Sequence, residues 1–319
     1  MNAVHRAHLG LGANLGDSEA SLRGALAAIA RLPDTRIVAV SSLYRTAPID
    51  SSGPDYLNAV CAIDTALDPH ALLAALQRIE NDYGRERPYR NAPRRLDLDL
   101  LRYDEAQLDT PSLTIPHPRL HERAFVLQPL LELAPALRDA RGRPLAERLP
   151  AVADQPIEKL ATRLDVRVRP YEARDFDELV AAWHACNLAS YPYVAEQQRH
   201  TLDDARRFFR DRVLAECRVW IAESLVVDAP ERLLGLVALA PGWVRQMAVF
   251  GDQQRRGIGR LLLREALAAS PGGVQLHTFQ RNAAARAFYE RHGFRAQAFG
   301  VSPAPESEPD VLYRWEPQA

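Results

Sequence analysis

The sequence has few of the residues that stabilise secreted proteins or build membrane spans. It contains only three cysteines in 319 residues, and Cys61, Cys186 and Cys217 are too far apart to predict a metal site or a disulfide framework. Each lies in a partly apolar segment, so we interpret all three as small core residues. No apolar run approaches the roughly 18 residues that cross a bilayer, and the N-terminus lacks an apolar signal core. These absences predict a cytoplasmic protein with no membrane partner.

An excess of positive charge is also missing. The chain has 40 basic and 41 acidic residues, for a net charge of −1, and Lys159 is the single lysine. Without a basic surplus, nothing in the composition favours nucleic acid as a partner, and any anion site must be local. The length and the 47% apolar content suffice for two cores of ordinary domain size.

Apolar periodicity in the first half predicts a strand–helix–strand–strand–helix–strand order, which is the ferredoxin-like arrangement. Ser18 is the predicted N-cap of the first helix, and the second helix begins near Pro69 and ends at Gly84. The strands are predicted at 8–11, 36–44, 56–65 and 97–101, with loops at 48–55 and 84–91.

The most informative segment is an apolar run that contains two aspartates, Asp97 and Asp99. Alternation along a strand directs both carboxylates to one face and the leucines between them to the other. Two oxygen ligands on one rigid strand suit Mg²⁺, and arginines directly before them suit a phosphate group. The alternative is an edge strand with a solvated acidic face.

Several motifs in this half occur in a fixed order. The aspartates belong to a pattern of Arg90, Ala92, Pro93, Arg94, Asp97 and Asp99. The others are Gly10–Gly16, Ser42–Thr46, Pro54–Asn58, Arg78–Glu80, Ile115–His117 and Glu122–Phe125. Together they resemble the 6-hydroxymethyl-7,8-dihydropterin pyrophosphokinase (HPPK) family over about residues 5–160.

The resemblance implies Mg²⁺-dependent transfer of diphosphate from ATP to the pterin hydroxymethyl group, giving AMP. Asp97 and Asp99 correspond to ligands of two Mg²⁺ ions. The resemblance gives Arg85 and Arg94 catalytic contacts with the polyphosphate. It assigns ATP-binding positions to Glu80, His117 and Arg123, and pterin-binding positions to Thr46, Tyr56, Asn58 and Phe125. Tyr56 and Phe125 have an alternative as core aromatics, and His117 as a rigid turn residue. Asn91 stands where a family member has Trp, and the basic loop is shorter.

In the second half, a strand at 244–250 runs into a glycine-containing turn and a leucine-rich helix. Glycines at such a turn allow backbone N–H groups and a helix N-terminus to face an anion. The turn lacks the Lys-Ser/Thr pair of an ATP P-loop. The alternative is an ordinary strand-to-helix turn.

A strand at 274–279, Asn282 and the run Ala287–Phe294 follow. With the turn, they resemble the GNAT superfamily of acetyl-CoA-dependent N-acetyltransferases over about residues 166–316. The resemblance implies acetyl-CoA binding and a mixed-sheet α/β fold, with Tyr289 as proton donor to the leaving thiolate. The implied acetyl-CoA contacts are Gln254, Arg255, Arg256, Gly257, Ile258, Gly259 and Asn282. Glu223 or a chain of waters is a candidate general base, and His277 is a weaker one.

The fold class is therefore a two-domain α/β chain: a ferredoxin-like pyrophosphokinase domain at 1–163 and a GNAT-type mixed-sheet domain at 164–319. The leading hypothesis is a fusion of two enzymes acting on small molecules, with an unknown amine as acetyl acceptor. A second hypothesis makes the C-terminal half a CoA-binding module without catalysis. A third makes the N-terminal half mainly a scaffold, which the intact Asp97, Asp99 and Arg94 argue against.

Overall fold

A computed structural model describes residues 3–48, 53–84 and 94–317 of the chain. These residues form two compact units. The first comprises 1–167 with 224–230, and the second comprises 168–223 with 231–319. Within the described residues, no helix is both long enough and apolar enough to cross a membrane.

The first unit is built on an antiparallel sheet with helices on both faces. Its strands are β1 (His5–Ala13), β2 (Thr35–Val40), β3 (Leu43–Thr46), β4 (Tyr56–Thr65), β5 (Asp97–Tyr103), β6 (Leu108–Asp109), β7 (Thr114–Ile115) and β8 (Ile157–Leu160). Its helices are α1 (Ser18–Ile29), α2 (Pro69–Asp82) and α3 (Ala124–Leu133), with 3-10 turns at Leu120–Glu122 and Leu145–Val152. The strand order is β5–β1–β4–β3–β8, with β2 also on β4 and a separate β6–β7 pair. The ferredoxin-like prediction is confirmed.

Local sequence explains where the two long helices begin and end. Leu22 and Ile29 of α1 are fully buried, as the predicted stripe requires. The predicted cap Ser18 is wrong, because the Asp17 carboxylate accepts the hydrogen bond from the Ala20 N–H at 3.0 Å. An N-cap side chain reaches the third helical residue, which places the cap one position earlier than predicted. After α2, Gly84 takes a φ of +73°, a left-handed value that ends the helix.

The strand predicted at 36–44 is interrupted, so that β2 and β3 are separate strands. The break falls at Ser41, which accepts a hydrogen bond from the Val60 N–H through Oγ at 2.9 Å. Its own N–H donates to the Val60 carbonyl. A hydroxyl thus replaces one backbone rung, which apolar periodicity alone does not reveal.

The two faces of this sheet carry different side chains because strand residues alternate. Leu98 and Leu100 of β5 lie in the core with α1 and α2, on the face opposite the aspartates, as predicted. Val60 and Leu101 lie in the other core, with α3. Asp97 and Asp99 share the face of Leu101 and therefore open toward α3.

The second unit is built on a mixed sheet. Its strands are β9 (Val166–Pro170), β10 (Arg218–Ser224), β11 (Leu233–Ala240), β12 (Trp243–Val249), β13 (Val274–Phe279), β14 (Arg295–Val301) and β15 (Pro309–Trp315), in the order β14–β15–β13–β12–β11–β10–β9. Its helices are α4 (Phe176–Ser190), α5 (Leu202–Phe208), α6 (Leu214–Glu216), α7 (Ile258–Ala268) and α8 (Ala283–Arg291). A π-helical turn at Phe209–Val213 precedes α6, and 3-10 turns lie at Ala173–Asp175, Gln197–Arg199 and Gly251–Gln253.

The parallel pair β12–β13 is the feature of this sheet that matters for function. Both strands lie wholly in the described part of the chain. They share a single register pair, Trp243 with Gln275. The Gln275 N–H also donates to the Gly242 carbonyl at 2.9 Å. No further register pair joins these two described strands, so their pairing ends here and leaves a gap in the hydrogen bonding of the sheet.

Candidate functional site

The floor of the first site is formed by three adjacent strands. Gly12 of β1 lies between Asp97 of β5 and Asn58 of β4, and Gly10 lies between Asp99 and Val60. A Cβ at Gly12 would lie only 3.1 Å from the Asn58 Oδ1. The glycine therefore permits close approach of polar side chains over the floor.

Above this floor lies a cavity of about 270 Å³. It brings together most residues that the sequence predicted for the first site: Thr46, Tyr56, Asn58, Arg94, Asp97, Asp99, His117, Arg123 and Phe125. It is also lined by residues not predicted: Gly10, Leu11, Gly12, Ala47, Ala59, Val60, Arg119 and Val126. Asp97 and Asp99 line this cavity from β5, which is the edge strand that the alternative supposed, so their shared face is a wall of the cavity.

The carboxylates lie beside a guanidinium. Arg94 forms an ion pair with Asp97 through Nη1. Burial acts to lower the pKa of Arg94, but the charges of Asp97 and Asp99 outweigh it and raise that pKa. Arg94 therefore stays charged beside two acidic groups.

The donor set fits a hard divalent cation that is shared with a substrate. Asp97 and Asp99 offer carboxylate oxygens to the same cavity. Across 3–48, 53–84 and 94–317, no cluster of three or more His, Cys, Asp or Glu could hold a metal by itself. Mg²⁺ commonly takes one or two carboxylates and fills its octahedron with phosphate oxygens and water, which matches this pair.

Arg94 is positioned by Asn14, a residue that sequence reasoning did not assign. The Asn14 Oδ1 accepts a hydrogen bond from the Arg94 N–H at 2.7 Å, and its Nδ2 donates to the Pro54 carbonyl at 3.2 Å. The Arg94 carbonyl accepts in return from the N–H groups of Asn14 and Leu15. Asn14 is 3% exposed, so these bonds are protected from water. The Gly10–Gly16 motif contained this residue, but its partner lies far away in the sequence.

One wall of the cavity carries positive charge from Arg119 and Arg123, with the His117 ring beside them. The Arg119 N–H donates to His117 Nδ1 at 3.2 Å, which places the proton of a neutral ring on Nε2. The pKa of His117 is lowered mainly by burial and secondly by the positive charge of Arg123. His117 is thus a neutral N–H donor. Burial and the neighbouring Arg119 also lower the pKa of Arg123.

The remaining wall combines an amide with aromatic rings. The Asn58 Nδ2 donates to Thr46 Oγ1 at 2.9 Å, which fixes the orientation of the amide. Tyr56 and Phe125 line the same cavity, and the Arg123 guanidinium lies 5.5 Å from the centre of the Phe125 ring. A fixed amide edge and flat rings are suited to a planar heterocycle with donors and acceptors.

Two predicted residues are not placed in the cavity. Glu80 is 2% exposed and accepts a hydrogen bond from the Leu98 N–H at 3.2 Å, so it supports the strand between the two aspartates from behind. Glu80 was predicted to bind ATP, but in this position it does not line the cavity. Arg85 lies outside the described residues, as do Arg90, Asn91, Ala92 and Pro93.

The predicted anion-binding turn of the second unit leads directly into α7. Arg255 and Gly257 have φ values of 64° and 84°, and Gly257 is the N-cap of α7. The N–H groups at a helix N-terminus attract anions. Arg256 donates to Gln253 Oε1 at 3.0 Å, and Gln253 donates in turn to Glu231. Gln253, which was not predicted, thus holds the turn.

The other residues of the predicted turn have packing roles that the motif did not show. Ile258 is 1% exposed and belongs to the core, so that only its backbone is suited to a ligand. A Cβ at Gly259 would meet the Phe288 ring at 3.3 Å, which ties this glycine to the packing of α7 near α8. Gln254 precedes the strained residue Arg255 in the same turn.

The helix after β13 carries the predicted acid. Tyr289 of α8 is 8% exposed, and its ring lies 5.4 Å from Phe294 and 6.3 Å from Tyr313. Burial, followed by the nearby Tyr191, raises the pKa of Tyr289, so the hydroxyl keeps its proton. Asn282 caps α8 by accepting from the Ala285 N–H at 3.0 Å, a structural role that was not predicted.

The two candidate bases of the second unit have different surroundings. Glu223 is buried and pairs with Arg169 at 2.8 Å and Arg232 at 3.4 Å. Two guanidinium groups thus balance the charge of this buried carboxylate. His277 instead has a half-exposed side chain and contacts Asp310 at 2.9 Å.

Comparisons with known proteins agree with this division. The sequence model for 7,8-dihydro-6-hydroxymethylpterin-pyrophosphokinase (HPPK) matches residues 8–135, and that for an acetyltransferase (GNAT) domain matches residues 215–296. The chain is 47% identical over 158 residues to the 2-amino-4-hydroxy-6-hydroxymethyldihydropteridine pyrophosphokinase of Pseudomonas aeruginosa, covering 49% of this chain and 98% of the relative. It is 49% identical over 133 residues to the protein of that name from Methylorubrum extorquens, covering 41% of this chain and 84% of the relative.

The chain also shows a likeness to solved structures. The spermidine N-acetyltransferase from Vibrio cholerae, in complex with CoA and spermine, aligns with a TM-score of 0.38 and 20% identity. The alignment covers 48% of this chain and 96% of that one.

The chain thus combines two α/β domains, one with an antiparallel sheet and one with a mixed sheet. It belongs to the HPPK family through its N-terminal domain, and residues 215–296 of its C-terminal domain match the acetyltransferase (GNAT) domain family. Both resemblances seen in the sequence are confirmed.

Proposed function

We propose that the N-terminal domain transfers the terminal diphosphate of ATP to the hydroxymethyl group of 6-hydroxymethyl-7,8-dihydropterin and releases AMP. One observation carries this proposal. A single cavity holds the carboxylates Asp97 and Asp99, a cationic wall, and a polar–aromatic wall suited to a pterin. The names of the relatives that match this domain support the same reaction.

The two aspartates are proposed to hold Mg²⁺ together with ATP. When bound, two Mg²⁺ ions neutralise phosphate charge and orient the oxygens for an in-line displacement. Arg94 adds a fixed guanidinium beside them, kept charged by Asp97. His117 donates its Nε2–H to a phosphate oxygen, and Arg123 supplies a second cation to the same wall.

The opposite wall orients the acceptor. Asn58, fixed by Thr46, presents its amide edge to the pterin, while Tyr56 and Phe125 stack on the heterocycle. This orientation directs the hydroxymethyl oxygen toward the β-phosphorus of ATP, where attack breaks the bond to the departing AMP. Holding both reactants in one cavity lowers the entropic cost of their reaction.

The identity of the released nucleotide tests this proposal. The full chain is incubated with ATP, Mg²⁺ and 6-hydroxymethyl-7,8-dihydropterin, and the nucleotides are separated by chromatography. Equal amounts of AMP and pterin diphosphate are expected. Formation of ADP, or no product from pterin, would contradict the assignment.

For the C-terminal domain, we propose acetyl transfer from acetyl-CoA to an amine. The observation that carries this is the early end of the β12–β13 pairing, together with the elements that follow these strands: β12 leads into the turn before α7, and β13 leads into α8, which carries Tyr289. The turn and the α7 N-terminus receive the CoA diphosphate on backbone N–H groups. Pantetheine lies along the separated strands, and Tyr289 gives its proton to the leaving thiolate.

A CoA-binding module without catalysis is the second candidate, because the turn by itself accounts only for binding. Gly257→Ala is the binding variant, since alanine at a φ of 84° costs about 1–2 kcal/mol and distorts the turn. Calorimetry with acetyl-CoA should show weaker binding for this variant. Tyr289→Phe should still bind acetyl-CoA but release thiol slowly. If wild type binds acetyl-CoA and acetylates no amine, the module assignment replaces the enzymatic one.

A further inference from the structure

His277 and Asp310 form a hydrogen-bonded pair in the C-terminal domain. His277 Nδ1 lies 2.9 Å from Asp310 Oδ2. A carboxylate only accepts, so Nδ1 carries the hydrogen and the lone pair of a neutral ring is on Nε2. The His277 side chain is 50% exposed, whereas that of Asp310 is 9% exposed. Asp310 thus fixes the tautomer of a ring that solutes reach.

The pair lies where the sheet opens. His277 follows Gln275 by two residues on β13, and Gln275 opposes Trp243 at the last contact before β12 and β13 separate. The imidazole stacks on the Trp243 ring, with centroids 5.6 Å apart and an angle of 2° between the planes. This stack fixes the plane of the imidazole beside the gap.

Strand alternation places His277 and Tyr289 on opposite faces of the sheet. His277 shares its face with Phe279, whose ring is 5.1 Å from Tyr191 in the segment after α4. Leu276 points to the other face and opposes Tyr313, whose ring is 6.3 Å from Tyr289. A thioester in the gap therefore has Tyr289 on one side and His277 on the other.

We propose that His277 is the general base of the acetyl transfer, that Asp310 is its positioning residue, and that the acceptor amine enters from the His277 face. The inference rests on the proposed acetyltransferase function. The amine nitrogen attacks the thioester carbonyl carbon, forming the C–N bond, and gives a proton to His277 Nε2. The C–S bond breaks, and the sulfur takes the proton of Tyr289. Exchange with solvent returns the first proton to the phenolate, so that amine and acetyl-CoA yield amide and CoA.

The charged groups around His277 permit this role. Asp310 is the carboxylate in contact with it, on β15. On β12, the Arg245 guanidinium lies 5.1 Å from the centre of the Trp243 ring, and Trp243 is the residue on which His277 stacks. On β15, Arg314 opposes Gln275 and pairs with Glu316 at 2.9 Å. Glu223, by contrast, forms ion pairs with Arg169 and Arg232.

The test uses the full chain with acetyl-CoA and n-butylamine as a generic primary amine, and it follows thiol release with and without the amine across pH. The variants are His277→Gln and Asp310→Asn. His200→Gln is the matched control, since His200 also lies near a carboxylate, Glu196, at 3.9 Å, but belongs to the segment before α5 and not to the sheet. Calorimetry with acetyl-CoA verifies that each variant has a folded, ligand-binding domain.

We expect His277→Gln to lower the thiol-release rate by about 10²–10⁴-fold, the usual contribution of a general base, with unchanged acetyl-CoA affinity. It should also abolish the fall in rate at acid pH that protonation of the imidazole causes in wild type. Asp310→Asn should lower the rate but keep that acid limb, because the imidazole remains. His200→Gln should match wild type.

Different outcomes test the role of His277 and the proposed acetyltransferase function separately. If wild type transfers acetyl groups and His277→Gln does so equally fast with the same pH profile, the general-base assignment fails alone. If Asp310→Asn equals wild type, the positioning role fails. If wild type binds acetyl-CoA but releases no thiol, the acetyltransferase proposal fails, and the role of His277 fails with it.

Discussion

Replacing Asn14 with alanine should impair catalysis through Arg94, although Asn14 does not line the cavity. The substitution removes the acceptor of the Arg94 N–H, at 2.7 Å, and the donor to the Pro54 carbonyl, at 3.2 Å. Asn14 is 3% exposed, so the Arg94 N–H loses its partner away from water. An unsatisfied buried donor costs about 1–3 kcal/mol, which is the expected loss in free energy of unfolding.

The loss in activity follows from what Arg94 contributes. A donor directed at transition-state charge is worth about 2.7–4 kcal/mol, and Asn14→Ala should lose part of that by letting Arg94 shift. Since each 1.4 kcal/mol is about tenfold in rate, AMP release should fall by about 10–100-fold. Arg94→Ala should lower turnover more than ATP affinity. Asn81→Ala, an exposed asparagine on α2, is the control and should leave both quantities unchanged.

A double-mutant cycle decides whether Asn14 acts through Arg94. AMP release is measured for wild type, each single variant and the double variant, with unfolding by denaturant in parallel. If the account holds, Asn14→Ala costs little further activity once Arg94 is alanine, since no guanidinium remains to be positioned. Full additivity of the two losses would refute the positioning role, and so would an unchanged rate in Asn14→Ala.

Two further predictions concern stability. The pKa of His8 is lowered to about 4, mainly by burial and to a smaller extent by the charges of Arg102 and Arg6. In the unfolded chain the same histidine binds a proton near pH 6.5, so that below this pH the unfolded state is protonated before the folded state. Stability should therefore fall by up to about 3 kcal/mol between pH 6.5 and 4 in wild type but not in His8→Gln, as denaturation across pH would show; parallel curves would contradict it. A fragment of residues 1–163 should unfold more easily than one of 1–167, because the buried Arg23 donates to the carbonyls of Arg163, Leu164 and Val166, and equal midpoints would contradict this.

Much of the N-terminal site was predictable because its residues occur in ordered motifs on regular strands. Alternation placed Asp97 and Asp99 on one face and Leu98 on the other, and the structure confirms that geometry. Long-range contacts were not predictable. Nothing in the sequence pairs Asn14 with Arg94, and Arg119 had no signal of its own next to His117.

The same limit applies to supporting side chains. Glu80 stands in a motif, but only the packing of α2 against β5 shows that its carboxylate supports the Leu98 N–H from behind. His277 was the weaker candidate base because a histidine on a strand is commonly packed. Its bond to Asp310 joins two strands that are distant in sequence, so the pair became visible only with the β13–β15 register.

The most direct test of the central claim is AMP release by carboxylate variants of the N-terminal cavity. Asp97→Asn and Asp99→Asn keep the size of the side chains but remove the charge that would hold Mg²⁺, and Asp82→Asn, on the exposed end of α2, is the matched control. With saturating ATP and 6-hydroxymethyl-7,8-dihydropterin, each cavity variant should lose orders of magnitude in rate over a full Mg²⁺ titration, while the control retains wild-type activity. Wild-type AMP release by both cavity variants would contradict the assignment of this cavity as the diphosphate-transfer site.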